Sequence, residues 1–509
     1  MRSKWIRHIF GRRFIVILLL LIQITFFWYM VWNTSNNIII SISLNLLSVL
    51  AVLYIVNRQD KPGYKLTWVV FIMALPVFGG LFYLFFKLQS SARNFKKSLT
   101  YYTTKSKKVL NQNSAVLDNF EKDFPEYKPQ IDYLINTVGF PIYQNSTTKY
   151  LATGENQYAA MIEEIKKAER YIFMEFFIIE EGRMWNNMLE ILKEKAAQGV
   201  DVRVMYDDVG CFLKLPVDYD KTLEKFGIKC AIFNPFHPIW STVQNNRDHR
   251  KIVVIDGVTA FTGGSNLADE YINAVYRFGH WKDAGIMVKG DAAWGFTVMF
   301  LQMWDTLRKS DEFYKSFKPV VKYDYTSSPG YVQPYDDSPL DFENVGEHIY
   351  LQIINRANKY IYITTPYLII DENMISALKL AAKSGIDVRI ITPSVPDKKI
   401  VHMTTQSYYK SLMQAGVKIY EYSPGFIHSK LFVSDDTIAT VGTVNLDFRS
   451  LYLHFECGTL IYGTESIADM KKDFLDLLVM CHQVTSQDIK KNVFLRLIRL
   501  FLKLCAPLM

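Results

Sequence analysis

The chain has 509 residues, of which 50% are hydrophobic and 15% aromatic, and its formal net charge is +8. This length allows two or three domains. The positive charge suits an anionic partner, nucleic acid or anionic lipid, without choosing between them. The five cysteines are scattered and contain no CxxC pair, which argues against a disulfide framework and against a zinc site.

Residues 1–88 contain three apolar segments that we expect to form a transmembrane anchor. They lie at about 14–32, 38–56 and 66–86, and each reaches the roughly 20 residues that a bilayer crossing requires. A cleaved signal peptide would have a shorter apolar core and a small-residue cleavage site. A buried core helix is the alternative for any one segment, but three in succession favour an anchor.

The charges around these segments leave the orientation of the anchor open. The basic N-terminus predicts a cytoplasmic start, so three full crossings would place the rest of the chain outside. Lys87, Arg93, Lys96 and Lys97 follow the third segment directly and favour the inside by the same rule. A re-entrant or interfacial third segment, broken at Pro76, would remove the conflict.

Residues 89–130 are basic and polar. We expect a juxtamembrane linker here that lies on anionic headgroups, at about 1 kcal/mol for each basic residue. A solvated connecting helix is the alternative.

From about residue 131 the pattern becomes α/β and is duplicated. Residues 168–179 parallel 357–370, and residues 196–205 parallel 382–391. The duplication predicts two similar halves, each with a mixed β-sheet flanked by helices. We place the first half at 131–326 and the second at 340–509, joined by a linker at 327–339 that is rich in Pro, Gly and Asp.

The second half ends in an apolar stretch along which Arg496, Arg499 and Lys503 are spaced. This pattern predicts a basic amphipathic helix, which either lies in a membrane interface or docks on the core.

The strongest signal is a motif that occurs twice, in HRKIVVIDGVTAFTGGSN and HSKLFVSDDTIATVGTVN. His249, Lys251, Asp256, Gly263 and Asn266 recur 179 positions later as His428, Lys430, Asp435, Gly442 and Asn445. A given histidine meets the Lys and Asp spacings by chance about once in 400. His and Lys two residues apart lie on one face if the segment is a strand.

The repeated HxK(x4)D(x6)GxxN pattern resembles the phospholipase D superfamily. Further stretches are similar to bacterial cardiolipin synthases of that type: 68–86, 277–290, 364–374 and 445–456. The resemblance implies an α/β fold of two pseudo-symmetric phospholipase D-like halves behind an N-terminal transmembrane helical anchor. It also implies a multi-pass protein of a bacterial cell membrane.

Phosphoryl transfer at a diester needs a nucleophile, a proton donor for the leaving alkoxide and positive charge near the phosphoryl oxygens. Two HxK motifs that meet would supply all three. By the family's usual order His249 is the nucleophile and His428 the general acid and base, although the motifs are too alike to decide this. Lys251 and Lys430 would hold the phosphoryl oxygens.

The resemblance assigns roles to the other motif residues as well. Asn266 and Asn445 are expected to be further phosphate donors. Asp256 and Asp435 are expected to orient the histidines rather than to bind a metal, because the two lysines would repel a cation. No metal and no soluble cofactor is predicted.

Five residues outside the motifs are expected to line the pocket: His280, Asp447, Arg449, Ser450 and Glu456. A structural ion pair is the alternative for Arg449 and Glu456. His454 lies close enough in sequence to reach the pocket as well, and Asp248 is expected to face solvent.

These observations predict a membrane-bound cardiolipin synthase that transfers a phosphatidyl group between two phosphatidylglycerol molecules through a phosphohistidine. Its partners would be phosphatidylglycerol, cardiolipin and the lipid bilayer, with no nucleic acid; a homo-oligomer is compatible with the sequence. The alternatives are a phospholipase D-type hydrolase or a phosphatidylserine synthase with the same motifs, a nuclease, and a lipid-binding protein without activity.

Overall fold

The computed structural model describes residues 38–58, 61–75, 91–235, 245–321, 323–341, 343–488 and 493–508, with positions 21, 25, 28, 29, 79, 80, 83 and 84. The chain divides into two compact units. The first unit comprises Met1–Asn94, Asn234–Asn246 and Leu504–Leu508, and the second is built from Phe95–Phe233 and Arg247–Lys503.

The first unit contains helices α1 (Ile38–Asn57) and α2 (Pro62–Ala74), which pack around a small apolar core. Trp68 lies in this core with its ring edge-on to Tyr83, at 5.2 Å between centroids. Pro62 opens α2, where its missing N–H would have no intrahelical partner in any case.

The predicted anchor is only partly within the described residues. Segment 38–56 falls in α1, while segment 66–86 is interrupted because α2 ends at Ala74. Segment 14–32 lies outside the described residues except at four positions. Among the described helices, none combines the length and the apolar character that crossing a bilayer would demand. The three-helix anchor therefore stays a prediction.

The segment predicted as a linker at 89–130 is folded. It contains helices α3 (Ser91–Ser106), α4 (Ser114–Asp123) and the start of α5 (Lys128–Tyr133). Leu99, Leu110 and Phe120 are buried in this segment. The juxtamembrane linker that we predicted is therefore helical and partly packed, rather than only basic and polar surface. Its contact with anionic headgroups stays a prediction.

The first half of the second unit is built on one mixed sheet. Its strands are β1 (Ser146–Leu151), β2 (Tyr171–Phe176), β3 (Asp201–Asp207), β4 (Lys229–Phe233), β5 (Arg247–Asp248), β6 (Lys251–Ile255), β7 (Thr259–Gly263), β8 (His280–Lys282) and β9 (Gly285–Gly290). Within the described chain, seven of them form a sheet in the order β1-β9-β7-β6-β2-β3-β4. Strands β2, β3 and β4 are parallel, and the remaining pairs are antiparallel. The accompanying helices are α6 (Gly154–Lys166), α7 (Arg183–Ala197), α8 (Asp208–Cys211) and α9 (Tyr219–Glu224).

Helix α10 (Ala293–Arg308) contacts strands of both sheets. Its residues from Ala293 to Thr306 are all buried. A helix that is apolar around its whole circumference is typical of a position inside a core. This helix therefore gives the two halves a common core.

The second half repeats the arrangement of the first. Its strands are β10 (Tyr331–Asp337), β11 (Tyr360–Thr364), β12 (Asp387–Pro393), β13 (Lys418–Tyr422), β14 (Gly425–Ile427), β15 (Leu431–Ser434), β16 (Ile438–Gly442), β17 (His454–Tyr462) and β18 (Cys481–Gln483). The sheet order is β10-β17-β16-β15-β11-β12-β13-β18, with β11, β12 and β13 parallel. The helices are α11 (Val345–Arg356), α12 (Glu372–Lys383), α13 (Lys399–Met413), α14 (Phe448–Tyr452), α15 (Ser466–Leu478) and α16 (Val493–Cys505). Short 3-10 turns lie at Pro125–Tyr127, Asp269–Ile272, Tyr314–Phe317 and Ala506–Leu508, and a π-turn lies at Leu134–Val138.

The prediction of a linker at 327–339 is wrong for most of its length. Strand β10 occupies Tyr331–Asp337 and pairs with β17. It contains Pro334, which a central strand would not tolerate because proline lacks the N–H of the ladder. Strand β10 is the outermost strand of its sheet, so this N–H is not required.

Candidate functional site

The two motif histidines directly precede equivalent strands of the two halves. His249 is followed by β6, and His428 is followed by β15. His249 and His428 are 7% and 6% exposed, so both imidazoles sit in a nearly closed centre. The charge of His428 contributes to lowering the pKa of His249, which places the two rings within electrostatic reach of each other.

Each histidine is held by a strand of the opposite half. Strand β5 pairs with β17, and the His249 N–H donates to the Phe455 carbonyl at 2.9 Å. Strand β14 pairs with β8, and the His428 N–H donates to the Lys282 carbonyl at 2.7 Å. The two halves thus exchange short strands, and neither half builds its own histidine environment alone.

The carboxylate that holds His249 is Glu456, from the second half. The Nδ1 atom of His249 lies 2.8 and 2.9 Å from the two carboxylate oxygens. Glu456 is fully buried, and the Thr443 hydroxyl donates to it as well. A proton on Nδ1 satisfies this carboxylate and leaves the Nε2 lone pair free.

The carboxylate that holds His428 is Asp283, from the first half. The Nδ1 atom of His428 lies 2.8 Å from Asp283 Oδ2. The Ala284 N–H donates to the other oxygen at 2.9 Å. Glycine is required at position 264, because a Cβ there would lie 2.0 Å from Asp283 Oδ1.

Two lysines bring positive charge into the same buried centre. Lys251 donates to the His249 carbonyl at 2.6 Å, and Lys430 donates to the His428 carbonyl and lies 2.9 Å from its Nδ1. Desolvation lowers the pKa of Lys251 to about 8 and that of Lys430 to about 7. The two lysines share this centre with the buried carboxylates of Glu456 and Asp283, and their ammonium groups are the donors that a phosphoryl oxygen could meet there.

Both motif histidines are neutral at pH 7 in this state. Desolvation, followed by the charge of Lys430, lowers the pKa of His428 to about 4. Desolvation and the charges of Lys251 and Lys430 hold the pKa of His249 well below its usual value. Desolvation raises the pKa of Asp283, but the interaction with His428 and the charge of Lys430 outweigh it and hold this pKa below its usual value. A neutral imidazole is the form that can attack phosphorus.

Asp256 and Asp435 do not orient the histidines, and that prediction is wrong. The Asp256 carboxylate accepts from the backbone N–H groups of residues 169, 170 and 171 at 2.8 to 2.9 Å. Asp435 accepts from those of residues 358, 359 and 360 at 2.6 to 2.9 Å. Each aspartate follows the far end of a motif strand, and a five-residue strand spans about 16 Å. Both aspartates therefore fasten the start of the neighbouring strand instead.

The two motif asparagines differ in their contacts. Asn266 accepts from the Ile178 N–H at 3.0 Å and donates to the Tyr271 hydroxyl at 2.7 Å. The Asn445 side chain is buried, and its Oδ1 has no hydrogen-bond partner among the described residues. Asn445 is therefore the better placed of the two to bind substrate.

The other residues predicted for the pocket divide into two groups. Arg449 lies near the centre, since its charge contributes to lowering the pKa of His454. Asp447 caps α14 by accepting from the Ser450 N–H at 2.8 Å, and burial raises its pKa. His280 instead contacts the Tyr422 hydroxyl at 3.0 Å through its Nδ1. The alternative of an Arg449–Glu456 ion pair is not what the structure has, because His249 and Thr443 take up that carboxylate.

Asp248 was expected to face solvent, and this is wrong because it is fully buried. Its N–H donates to Asp207, and its carboxylate lies in a buried group with Arg250 and Glu175. Arg250 contacts Asp336 directly and lies 3.6 Å from Glu175. Burial and the charge of Asp248 raise the pKa of Glu175 well above its usual value. This group anchors the loop on which His249 stands.

Asp283 is the functional residue that sequence reasoning missed. The segment that contains it was recognised, but the residue itself was not singled out. A signal was present: WKDAGIMVKG at 281–290 aligns with HFECGTLIYG at 454–463, so Asp283 matches Glu456. Both segments end in a glycine with positive φ, at +99° for Gly290 and +60° for Gly463.

Among the residues that the structure describes, one trio of side chains has ligand atoms close enough to hold a metal ion. His249, His454 and Glu456 place their ligand atoms within 4.8 Å of one another. Two imidazoles and a carboxylate are a donor set that suits zinc. The charges of Lys251 and Lys430 act on His249 in the same trio, and they would repel a cation bound there.

Comparisons with known proteins give consistent matches. The family described as "Cardiolipin synthase, PLD-like domain" matches residues 161–292 and 350–478, and a phospholipase D-nuclease N-terminal family matches residues 46–87. A cardiolipin synthase of Geobacillus kaustophilus is 35% identical over 84% of this chain and 86% of its own length. A cardiolipin synthase of Geobacillus sp. WCH70 is 33% identical over 91% of this chain and 92% of its own length.

Two further similarities carry less functional content. An uncharacterized protein of Streptococcus mutans is 44% identical over 90% of this chain and 99% of its own length. The crystal structure of phosphatidylserine synthase from Haemophilus influenzae Rd KW20 superimposes with a TM-score of 0.55 at 14% identity, over 75% of this chain and 97% of that one. At this identity the likeness concerns the fold alone.

Proposed function

The chain belongs to the cardiolipin synthase family with phospholipase D-like domains, and from this membership we propose that it transfers a phosphatidyl group between two phosphatidylglycerol molecules. The products would be cardiolipin and glycerol. The observation that carries the proposal is one buried centre with two neutral, carboxylate-held imidazoles and two lysines.

In the proposed first step the Nε2 atom of His249 attacks phosphorus and forms an N–P bond. The P–O bond to the glycerol headgroup breaks, and His428 gives its proton to the departing oxygen. In the second step His428 removes the proton from a hydroxyl of the second phosphatidylglycerol. That oxygen attacks phosphorus, the N–P bond breaks, and His249 is restored.

The contacts of the two histidines support this division of roles. The Nδ1 atom of His249 lies against both oxygens of the Glu456 carboxylate, so its proton is held there and Nε2 is left as the nucleophile. The Nδ1 atom of His428 faces both Asp283 and the ammonium group of Lys430. The protonation of His428 therefore depends on the charge in the site. A group that first gives a proton and then takes one needs this dependence.

A bound phosphodiester would prepare His428 to act as the acid. Desolvation, together with the charges of the two lysines, lowers the pKa of His428 to about 4. A phosphate anion between the lysines offsets these charges and raises the pKa of a neighbouring imidazole. Substrate binding would thus supply the protonated form that glycerol release needs.

The membrane anchor is part of the same proposal. The described part of α1 carries many exposed apolar side chains: Ile38, Ile39, Ile42, Leu46, Val49, Leu50 and Leu53. At the other end of the chain, Leu497, Leu500 and Phe501 of α16 are exposed, while Arg499 donates to Gln406. We propose that these apolar faces contact lipid in a bacterial cell membrane, which brings an insoluble substrate to the centre.

The test is product analysis by mass spectrometry after incubation of the detergent-purified protein with phosphatidylglycerol alone. Wild type should give cardiolipin and glycerol, and H249A and H428A should give neither. The surface variant H482A is the matched control, because His482 is exposed and should be dispensable. Phosphatidic acid as the main wild-type product would identify a hydrolase, and turnover only with added CDP-diacylglycerol and serine would favour a phosphatidylserine synthase.

A trapping experiment tests which histidine is the nucleophile. With a labelled phosphatidyl ester of p-nitrophenol, a leaving group that departs without a general acid, H428A should accumulate an acid-labile phosphoenzyme and H249A should accumulate none. The opposite pattern would reverse the two roles while leaving the transferase itself in place.

A further inference from the structure

The exchanged strands make positions of the two halves equivalent. In β8, Trp281 lies opposite the residue two places before His428. In β17, His454 lies opposite the residue two places before His249. In both strands the acid that holds the motif histidine follows two residues later. His454 therefore lies beside His249 in the same position that Trp281 has beside His428.

The two equivalent side chains have different contacts. The Trp281 ring lies 5.1 Å from the His428 ring, and its Nε1 donates to the acid of its own strand at 3.3 Å. The His454 ring lies 5.4 Å from the His249 ring. Both ring nitrogens of His454 are buried, and neither has a hydrogen-bond partner in the described part of the chain. The acid of its strand is 3.8 Å away, beyond hydrogen-bond distance.

An imidazole with two unpartnered nitrogens is unusual in a buried centre. Each buried donor or acceptor left without a partner costs about 1–3 kcal/mol, and such groups in native proteins call for an explanation. His454 is 9% exposed, and no hydrogen bond fixes its ring orientation. Such an arrangement is expected of a side chain whose hydrogen-bond partner is an atom of a bound ligand.

The protonation state of His454 restricts what that ligand can be. Desolvation chiefly, with the charges of His249 and Arg449, lowers its pKa to about 4, against the raising effect of Glu456. At pH 7 the ring is neutral and presents one N–H donor and one lone pair. A hydroxyl group, which both donates and accepts, matches this pair of functions. A phosphate anion accepts only, and the lysines already serve it.

We infer that His454 is a positioning residue that binds a second, non-reacting hydroxyl group of the alcohol whose reacting hydroxyl is served by His428, and that it suits a polyol headgroup such as glycerol. The inference rests on the proposed function and deepens it. It follows from the position of His454 beside the nucleophile and from its two open hydrogen-bonding atoms. In the second step water and alcohol compete for the same phosphorus, so a group that holds an alcohol hydroxyl there favours transfer over hydrolysis.

The experiment compares H454L and H454N with wild type, using phosphatidylglycerol vesicles. Asparagine keeps one donor and one acceptor, whereas leucine fills similar space without either. The readouts are the molar ratio of cardiolipin to phosphatidic acid, and KM and kcat for phosphatidylglycerol. We expect H454L to lower the ratio about tenfold, the equivalent of about 1.4 kcal/mol, and H454N to stay within about threefold of wild type.

The outcomes separate this inference from the proposal on which it rests. If wild type makes no cardiolipin, the proposed function fails. If wild type makes cardiolipin and H454L keeps the wild-type ratio, His454 does not select the alcohol and only the inference fails. Equal losses in kcat for H454L and H454N at an unchanged ratio would show a packing role and would also overturn it. If H454L does not fold, H454W takes its place. This variant carries at position 454 the tryptophan that the first half has at position 281, it has no hydrogen-bond acceptor, and it should lower the ratio of cardiolipin to phosphatidic acid in the same way.

Discussion

Replacing Glu456 by glutamine removes one negative charge from behind His249 and changes little else. The carboxylate is fully buried, and both of its oxygens lie within 2.9 Å of His249 Nδ1. In the proposed mechanism His249 becomes positively charged when it bonds to phosphorus. The carboxylate stabilises that charge, while a glutamine amide is neutral and offers only its one oxygen to accept the hydrogen bond from Nδ1.

The size of the effect follows from these contacts. A hydrogen bond that involves a charged group contributes about 1.5–3 kcal/mol. Two unit charges about 4 Å apart attract by about 4 kcal/mol at the effective dielectric constant of a protein. A loss of about 2–4 kcal/mol in the transition state corresponds to a fall in kcat of about 30- to 1,000-fold. The E456Q variant should show this fall in the cardiolipin assay.

D256N is the matched control, because it also converts a motif-related acid to its amide. Asp256 has a φ of +52°, which asparagine tolerates, and its carboxylate accepts from three backbone N–H groups remote from the histidines. The amide leaves one of these N–H groups without an acceptor. D256N should therefore lower the free energy of unfolding by about 1–3 kcal/mol, while its kcat per folded molecule stays within about threefold of wild type.

The assay measures cardiolipin formation and, in parallel, the folded fraction by intrinsic tryptophan fluorescence during heating. A folded E456Q with wild-type turnover would refute the role given to Glu456. A folded D256N with turnover as low as H249A would refute the structural role given to Asp256 and restore the prediction made from the motif alone.

Three further predictions follow from the same centre. G264A should lower turnover by about 100-fold, because its Cβ would displace the Asp283 carboxylate; unchanged turnover would contradict this. K430M should have a higher free energy of unfolding than wild type. The difference between the two free energies should narrow by about 2–3 kcal/mol between pH 6 and pH 9, as urea unfolding can check. The sign follows because the pKa of folded Lys430 is lowered to about 7, so the wild type carries the full desolvation cost below pH 7 and recovers stability as the pH rises above it. N266A should lower the melting temperature and N445A should lower kcat without that shift, because only the first asparagine has both of its hydrogen bonds within the protein; the reverse pattern would contradict the assignment.

The sequence was sufficient to predict the doubled α/β halves and the meeting of the two histidines and two lysines. These features depend on local periodicity and on an internal repeat, both of which are visible in one chain. The acids were misassigned for a physical reason. The family resemblance implied that Asp256 orients His249, but a whole strand separates the two residues, and each residue of a strand adds about 3.3 Å to the distance between them.

The partner of each histidine could not be read from its own motif because it comes from the other half. Glu456 and Asp283 lie 207 and 145 residues from the histidines that they hold. Strand exchange fixes these pairs, and it depends on tertiary packing that periodicity does not encode. The burial of Asp248 could not be predicted for a similar reason. An acid is expected to be exposed unless a cation is buried with it, and here that cation is Arg250.

The reciprocal exchange of acids also sets when the enzyme can first act during its own synthesis. His249 leaves the ribosome 207 residues before Glu456. At about 5–20 residues per second this delay lasts about 10–40 seconds. His428, in contrast, emerges 145 residues after the Asp283 that will hold it. A growing chain thus carries an unsupported first histidine until Glu456 has been translated, so the unfinished chain is not yet a working catalyst.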